Sequence, residues 1–251
     1  MGGSGHQAGA LYTRRMVKPA PSKASPQAVA KRAVAKGKTP GKTPASGRTN
    51  DPARTMAGIL EVATTEFANK GLSGARIDAI AEATRTSKRM IYYYFGNKEG
   101  LYLAVLEASY RAMRQIESEL HLQDLEPEQA LRALVEFTFD HHSGNEDYIR
   151  LVMNENMERG TYLAQSKTIR ELNVPAIHAI HKLYERGVNQ GVFRAGLDPV
   201  DIHASISALS FFNVSNQYTF GLIFKGRGNR ADATALRRAS ITDMVVRFVK
   251  K

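Results

Sequence analysis

The sequence predicts an all-α protein, and three observations carry that expectation. From Asp51 onward, apolar residues recur at intervals of three and four instead of in strict alternation. Proline follows an acidic residue where segments open, at Asp51-Pro52, Glu126-Pro127 and Asp198-Pro199, the signature of a first helical turn. Glycine or small polar clusters stand where segments close, at Gly71, at Gly96 and at Ser143-Gly144-Asn145.

Each element follows in order. Asp51 caps a helix whose inward residues are Met56, Ile59, Leu60, Ala63 and Phe67, ending at Gly71. A short helix spans about 77–84 with Ile77, Ile80 and Ala81 inward, and Ser87 caps a second short one reading KRMIYYYF. Gly96 stops it, and Asn97 caps a long helix to about Leu120. Further helices are expected over about 127–142, 146–159, 162–190, 199–224 and 231–251. Pro175 lies inside the third of these, which is therefore either kinked or split near Asn173. The segment at 226–230, GRGNR, reads as a loop.

Charge separates a tail from this helical body. Ten of the 35 Lys and Arg residues fall within residues 1–50, which hold no acid, so 25 face the 24 acids of the remainder. Those fifty residues are Ala, Lys, Gly, Pro, Ser and Thr with few large apolar side chains, too few to offset the entropy of ordering. The expected organisation is a disordered basic arm at 1–50, a helix-turn-helix domain at 51–97 and a helical domain at 98–251. An apolar fraction of 43% with 24% charged residues supports a sizeable core. Zero cysteine excludes disulfides, thiolate metal sites and thiol nucleophiles. No secretory h-region and no apolar run of membrane-spanning length occurs, so a cytoplasmic protein without a membrane partner is expected.

Function is written most clearly between residues 76 and 98. Two short helices separated by about four residues and preceded by a longer one have the spacing of a helix-turn-helix, whose second helix enters a DNA major groove. Ser87 and the free amides at that helix's start suit phosphate, and Lys88 and Arg89 suit guanine edges. Tyr92, Tyr93 and Tyr94 point about 100° apart in succession, so all three cannot be buried and at least one phenol faces outward.

The segments IDAIAEA and SKRMIYYYFGNKEGLYLAVLE resemble the DNA-binding domain of the TetR/AcrR transcriptional repressors, over roughly fifty residues from Thr55 to about Leu106. The resemblance implies that Lys88, Arg89, Tyr92 and Tyr93 approach bases or their sugars. It implies that Arg76, Ser87, Tyr94 and Lys98 hold phosphates, and that Ile80, Ile91 and Phe95 pack the three-helix core. Two positions depart from the family pattern. Arg85 stands in a turn that usually carries glycine, so either a non-glycine residue is left-handed, at roughly 1 kcal/mol, or the turn differs. Asp78 replaces a residue that is often basic, removing one contact.

The same resemblance implies a homodimer that binds a palindromic double-stranded operator and is released by a small-molecule effector. No cofactor, no metal and no enzymatic activity are expected: GxxxxGK, GxSxG and HExxH are all absent. His178 and His181 stand at a metal-compatible i, i+3 spacing, and His141-His142 lies near Glu146, but neither set has a clear third and fourth ligand. Glu155, Asn156, Arg159 and Tyr162 gather at a helix end, either as a solvated cap or as part of an effector pocket. Asn213, Ser215, Asn216 and Gln217 are polar within apolar helices and require hydrogen-bond partners. NENMERGTYL, IRELNVPAI and SALSFFNVSNQYTF loosely resemble family members that control breakdown of small aromatic acids. On that likeness Arg150, Arg159 or a histidine such as His178 pairs with a carboxylate.

The dimer face is expected on 168–190 and 199–224, because Ile202, Ile206, Leu209, Phe211, Phe212 and Phe220 exceed one core-facing stripe. The rival reading is a sequence-tolerant architectural protein that binds DNA through its basic arm.

Overall fold

Asp51 opens the described structure as the sequence predicts: its Oδ1 accepts from the amides of Ala53 at 3.1 Å and Arg54 at 3.2 Å, starting α1 (Pro52–Gly74). The computed structural model describes residues 51–224 and 231–251; the basic arm and the 226–230 segment lie outside the described residues. Gly71 leaves helical geometry at φ 66° and ψ 176°, which is where the sequence places the end of this helix. The chain then forms α2 (Ile77–Ala83), α3 (Lys88–Phe95) and α4 (Lys98–Ser118). The turn before α3 is closed by Thr86 N–H donating to Ala81 O at 3.0 Å, with Arg85 at φ 52°. The left-handed alternative is therefore the one adopted.

After a 3-10 turn at Leu122–Asp124 come α5 (Pro127–Gly144) and α6 (Glu146–Met157). The remaining helices are α7 (Lys167–Asn189), α8 (Pro199–Ser215), α9 (Gln217–Ile223) and α10 (Ala231–Val249). Two boundaries differ from the sequence reading. The helix expected from Tyr162 begins at Lys167, because Ser166 Oγ accepts from Ile169 N–H at 3.0 Å and a 3-10 turn occupies Leu163–Gln165. It then runs through Pro175 as one helix instead of splitting. The helix expected over 199–224 is interrupted at Asn216, with φ −107° and ψ 5°, which separates α8 from α9.

Two apolar cores hold these helices. Around the short helices, Ile59, Ala63, Phe67, Ile80, Ile91, Leu101, Val105 and Leu106 are fully buried or nearly so. Burial of each larger aliphatic side chain is worth about 1.5–3 kcal/mol. Leu151 from α6 and Ile169 from α7 complete this core, so it does not stop at residue 97. The second core joins α5, α7, α8 and α10 through Leu131, Leu134, Phe139, Leu183, Ile241 and Val245. Ile202 and Ile206 belong to it at 2% and 0% exposure, and Leu209 packs against it. This corrects the placement of Ile202 and Ile206 on a dimer face: both point into the interior of their own chain. Gly187 lets Phe193 lie on α7, since a Cβ there would meet the ring at 2.0 Å. The C-terminus is tied to the same place by Lys251 N–H donating to Val192 O at 3.1 Å.

Candidate nucleic-acid interface and effector cluster

α3 is anchored by one residue and exposed around it. Ile91 is fully buried, whereas Tyr93 is 79% and Tyr92 42% exposed, with Arg89 also in solvent. Tyr94 is half-buried, packing edge-on between Tyr93 and Phe95 at centroid distances of 5.4 and 6.2 Å. Ser87 Oγ accepts from Met90 N–H at 3.1 Å, which leaves its own proton to donate. The Arg76 side chain is exposed, and its N–H donates to Glu66 Oε1 at 3.0 Å, fixing the entry to α2. Lys98 Nζ donates to Ser73 O at 3.2 Å, so this lysine braces the turn ahead of α2. Lys88 forms an ion pair with Asp78, a partner visible in the sequence only as the loss of a basic residue.

Of the residues singled out for an effector, Glu155, Tyr162 and Arg150 gather around Tyr102, while Arg159 and His178 stand apart. Glu155 is buried, and its Oε2 accepts from Leu163 N–H at 2.9 Å. Tyr162 stands edge-on to Tyr102 at 5.4 Å in the same neighbourhood. Burial first, and the Glu155 carboxylate second, raise the Tyr102 phenol and keep it protonated. Arg150 shares a cleft of about 430 Å³ with Tyr102, Asn154 and Ser215, its Nε donating to Ala68 O at 3.1 Å and its NH1 reaching Glu146. Arg159 is an exposed turn residue at φ 56°, and His178 is exposed on α7. Asn213 is half-buried on α8, as is Gln217 at the start of α9.

What the helices also bring together is an aromatic and imidazole cluster. Tyr110 of α4 meets Tyr148 of α6 at 5.6 Å, and Tyr148 meets His141 and His142 of α5 at 5.3 and 5.9 Å. Phe137 lies 5.8 Å from His141, and Phe211 of α8 lies 6.4 Å from His142. Burial, then the neighbouring His141, lowers His142 to about 4; burial and Arg114 also lower His141 and His203. These imidazoles are therefore neutral near pH 7. His141 Nδ1 and Ser210 Oγ are buried without a hydrogen-bond partner, and His142 has only the Thr138 backbone to bond with. Arg114 pairs with Glu117 and donates from Nε to Asn173 Oδ1 at 2.9 Å. The adjacent histidines were visible in the sequence as a weak metal pair. Among the described residues no group of side chains could hold a metal ion.

α6 faces both regions. On one side it carries Tyr148. On the other, Asp147 Oδ2 accepts from Thr65 Oγ1 at 2.7 Å, Arg150 donates to Ala68 O, and Asn154 Nδ2 donates to Phe67 O at 3.1 Å.

A short exposed helix seated on a three-helix core, joined to a larger helical part, defines a helix-turn-helix DNA-binding regulator. Residues 59–105 match the model of bacterial regulatory proteins of the tetR family, and residues 127–245 match the tetracyclin repressor-like C-terminal domain. The chain is 35% identical over 166 residues to the HTH-type transcriptional repressor NicS of Pseudomonas putida, spanning 66% of this chain and 78% of NicS. It is also 35% identical over 139 residues to the HTH-type transcriptional repressor SCO4008 of Streptomyces coelicolor, spanning 55% and 69% of the two chains. Among solved structures, a tetR-family regulatory protein from Rhodococcus RHA1 superposes with a TM-score of 0.63 at 18% identity, covering 78% of this chain and 97% of that one. This last likeness concerns the fold alone. The chain belongs to the TetR family of bacterial regulatory proteins, and is a transcription regulator of the repressor type and not an enzyme.

Proposed function

We propose that the protein is a homodimeric, ligand-responsive repressor that binds a palindromic operator and is released by a small molecule seated in its C-terminal helices. The observation that carries the DNA half is the outward face of α3, where Arg89, Tyr92 and Tyr93 surround a single buried anchor, Ile91. In this reading Lys88, Arg89, Tyr92 and Tyr93 meet bases, while Arg76, Ser87, Tyr94 and Lys98 hold the backbone that positions them. One eight-residue helix makes few base contacts. A two-fold dimer places two such helices roughly 34 Å apart, in successive major grooves.

The effector half rests on the cluster of Tyr110, His141, His142 and Tyr148. α6 couples it to α1, since Tyr148 stands in the cluster while Asp147, Arg150 and Asn154 grip α1 from the same helix. A ligand that displaces Tyr148 shifts α6 and with it the spacing of the two α3 helices. A bias of a few kcal/mol between the two spacings is enough to empty the operator.

Selection of genomic fragments on the purified protein at near-physiological salt tests the reading. Recovery of one or a few intergenic palindromes is expected, and Arg89→Ala lowers affinity for them by about 1–3 kcal/mol. Uniform recovery, lost on removal of residues 1–50, belongs to the architectural alternative.

A further inference from the structure

We propose that the cluster of Tyr110, His141, His142, Tyr148, His203 and Ser210 takes an uncharged, planar, hydroxylated aromatic molecule. This rests on the effector reading above and adds the chemistry of the ligand.

Shape is the first argument. The rings stand steeply to one another, His141 to Tyr148 at 80°, His142 to Tyr148 at 70° and His142 to Phe211 at 78°. Edge-to-face arrays of this kind leave ring faces that a flat aromatic guest can continue, whereas a branched aliphatic guest forfeits those contacts.

Polarity is the second. Ser210, two turns along α8 from His203 and so on the same face, is fully buried, and its Oγ and His141 Nδ1 have no hydrogen-bond partner, while His142, 4% exposed, has only the Thr138 backbone. Unpaired buried polar atoms are uncommon in a folded protein because each forfeits the hydrogen bonds it made to water. A hydroxyl both donates and accepts, so it satisfies a neutral imidazole nitrogen in either tautomer and a serine hydroxyl in either orientation. A carboxylate only accepts.

Charge is the third. Arg114 is the cation nearest the cluster, and it is already spent on Glu117, their side chains only 13% and 11% exposed. With the imidazoles neutral, a carboxylate that leaves Arg111 in the cleft and reaches the cluster meets no uncompensated positive charge there and loses its hydration for nothing in return. The structure thus separates two kinds of ligand that the sequence left together, an aromatic ring and an acid.

Access is the fourth. A cleft of about 590 Å³ between α4 and α7 is lined by Arg111, Arg114, Glu117, Pro175, Ala176 and Ala179. Its volume falls in the range of small-molecule pockets. Arg114 belongs both to this cleft and to the cluster's surroundings, where its charge acts on His141, His142 and His203.

Titration calorimetry of the full chain with phenol, anisole and benzoate as probes tests the proposal, beside operator binding by the same preparation. Phenol is expected to bind at least tenfold tighter than anisole, which lacks the O–H, and tighter than benzoate. His142→Phe is expected to weaken phenol at least tenfold. Ser210→Ala, a smaller change that leaves the packing in place, weakens it several-fold and decides the matter if His142→Phe fails to fold. Arg159→Ala leaves phenol binding unchanged. Benzoate binding tightest, phenol and anisole binding equally, or no probe binding to a preparation that retains its operator each overturns the proposal. A preparation with normal phenol binding and no preferred DNA overturns the operator reading alone.

Discussion

Asp78 near the start of α2 faces Lys88 at the start of α3, so under the proposed reading the recognition helix comes to DNA with its first positive charge already partnered. Asp78→Asn frees that lysine. The expected result is tighter binding to random-sequence DNA and a plot of log affinity against log salt steeper by about one unit, read by filter binding at several salt concentrations. His142 supplies a second prediction. Burial first, then His141, lowers its pKa to about 4 from an ordinary 6.5, with His203 and Arg114 acting the same way and the Thr138 backbone hydrogen bond opposing them. As pH falls below 6.5 the unfolded chain takes up a proton that the native chain refuses. Stability therefore declines by up to about 1.4 kcal/mol per pH unit until pH nears the native value, then levels off. Urea midpoints across this range measure the slope, and His142→Asn flattens it. Of these residues, an outward tyrosine was legible in the sequence from helix geometry, and the left-handed Arg85 was one of two alternatives that the family resemblance left open. Neither the Asp78–Lys88 pair nor the convergence of His142 with Phe211 was legible, because those contacts depend on how separate helices pack.

At the level of elements, the junction of α3 and α4 is set by a glycine with no room for a side chain. A Cβ at Gly100 would fall 2.1 Å from Phe95 O, and the Gly100 amide is the donor to the Asn97 cap at 2.7 Å. Gly100→Ala is expected to push α3 away from α4, reducing operator affinity at least tenfold while circular dichroism retains most of its helical signal. On the effector side, Gly187→Ala meets the Phe193 ring and is expected to cost about 1–3 kcal/mol, read as a lowered melting temperature. The starts of α1 and α8 were readable because an acidic cap followed by proline is a local signal. The start of α7 was not. Ser166, whose hydroxyl caps that helix and donates to Glu107 of α4 at 2.6 Å, looks like any loop serine until α4 is beside it. The unbroken passage through Pro175 has a comparable origin in tertiary support: the Arg114 bond to Asn173 holds the helix just before the proline.

For the whole molecule, the apolar residues that the sequence assigned to one dimer face divide between two destinations. Ile202 and Ile206 fill the interior, while Phe212 is 44% and Phe220 36% exposed; Leu222, Ile223, Phe224 and, on α10, Met244 and Phe248, which the sequence reading did not name, are exposed as well. Periodicity reports that a helix has more than one apolar face; it does not say which face is turned inward. Under the homodimer reading this exposed surface is where the second copy sits, so the melting temperature rises with protein concentration. Phe212→Asp abolishes that dependence and operator binding together, while the monomer keeps its helical content. The Asp78–Lys88 pair has a consequence of another kind, in time instead of affinity. A regulator must discard very many wrong sites to find its own. A lysine restrained by a neighbouring carboxylate grips anonymous phosphates less firmly, which shortens each fruitless stop and speeds the search along the chromosome.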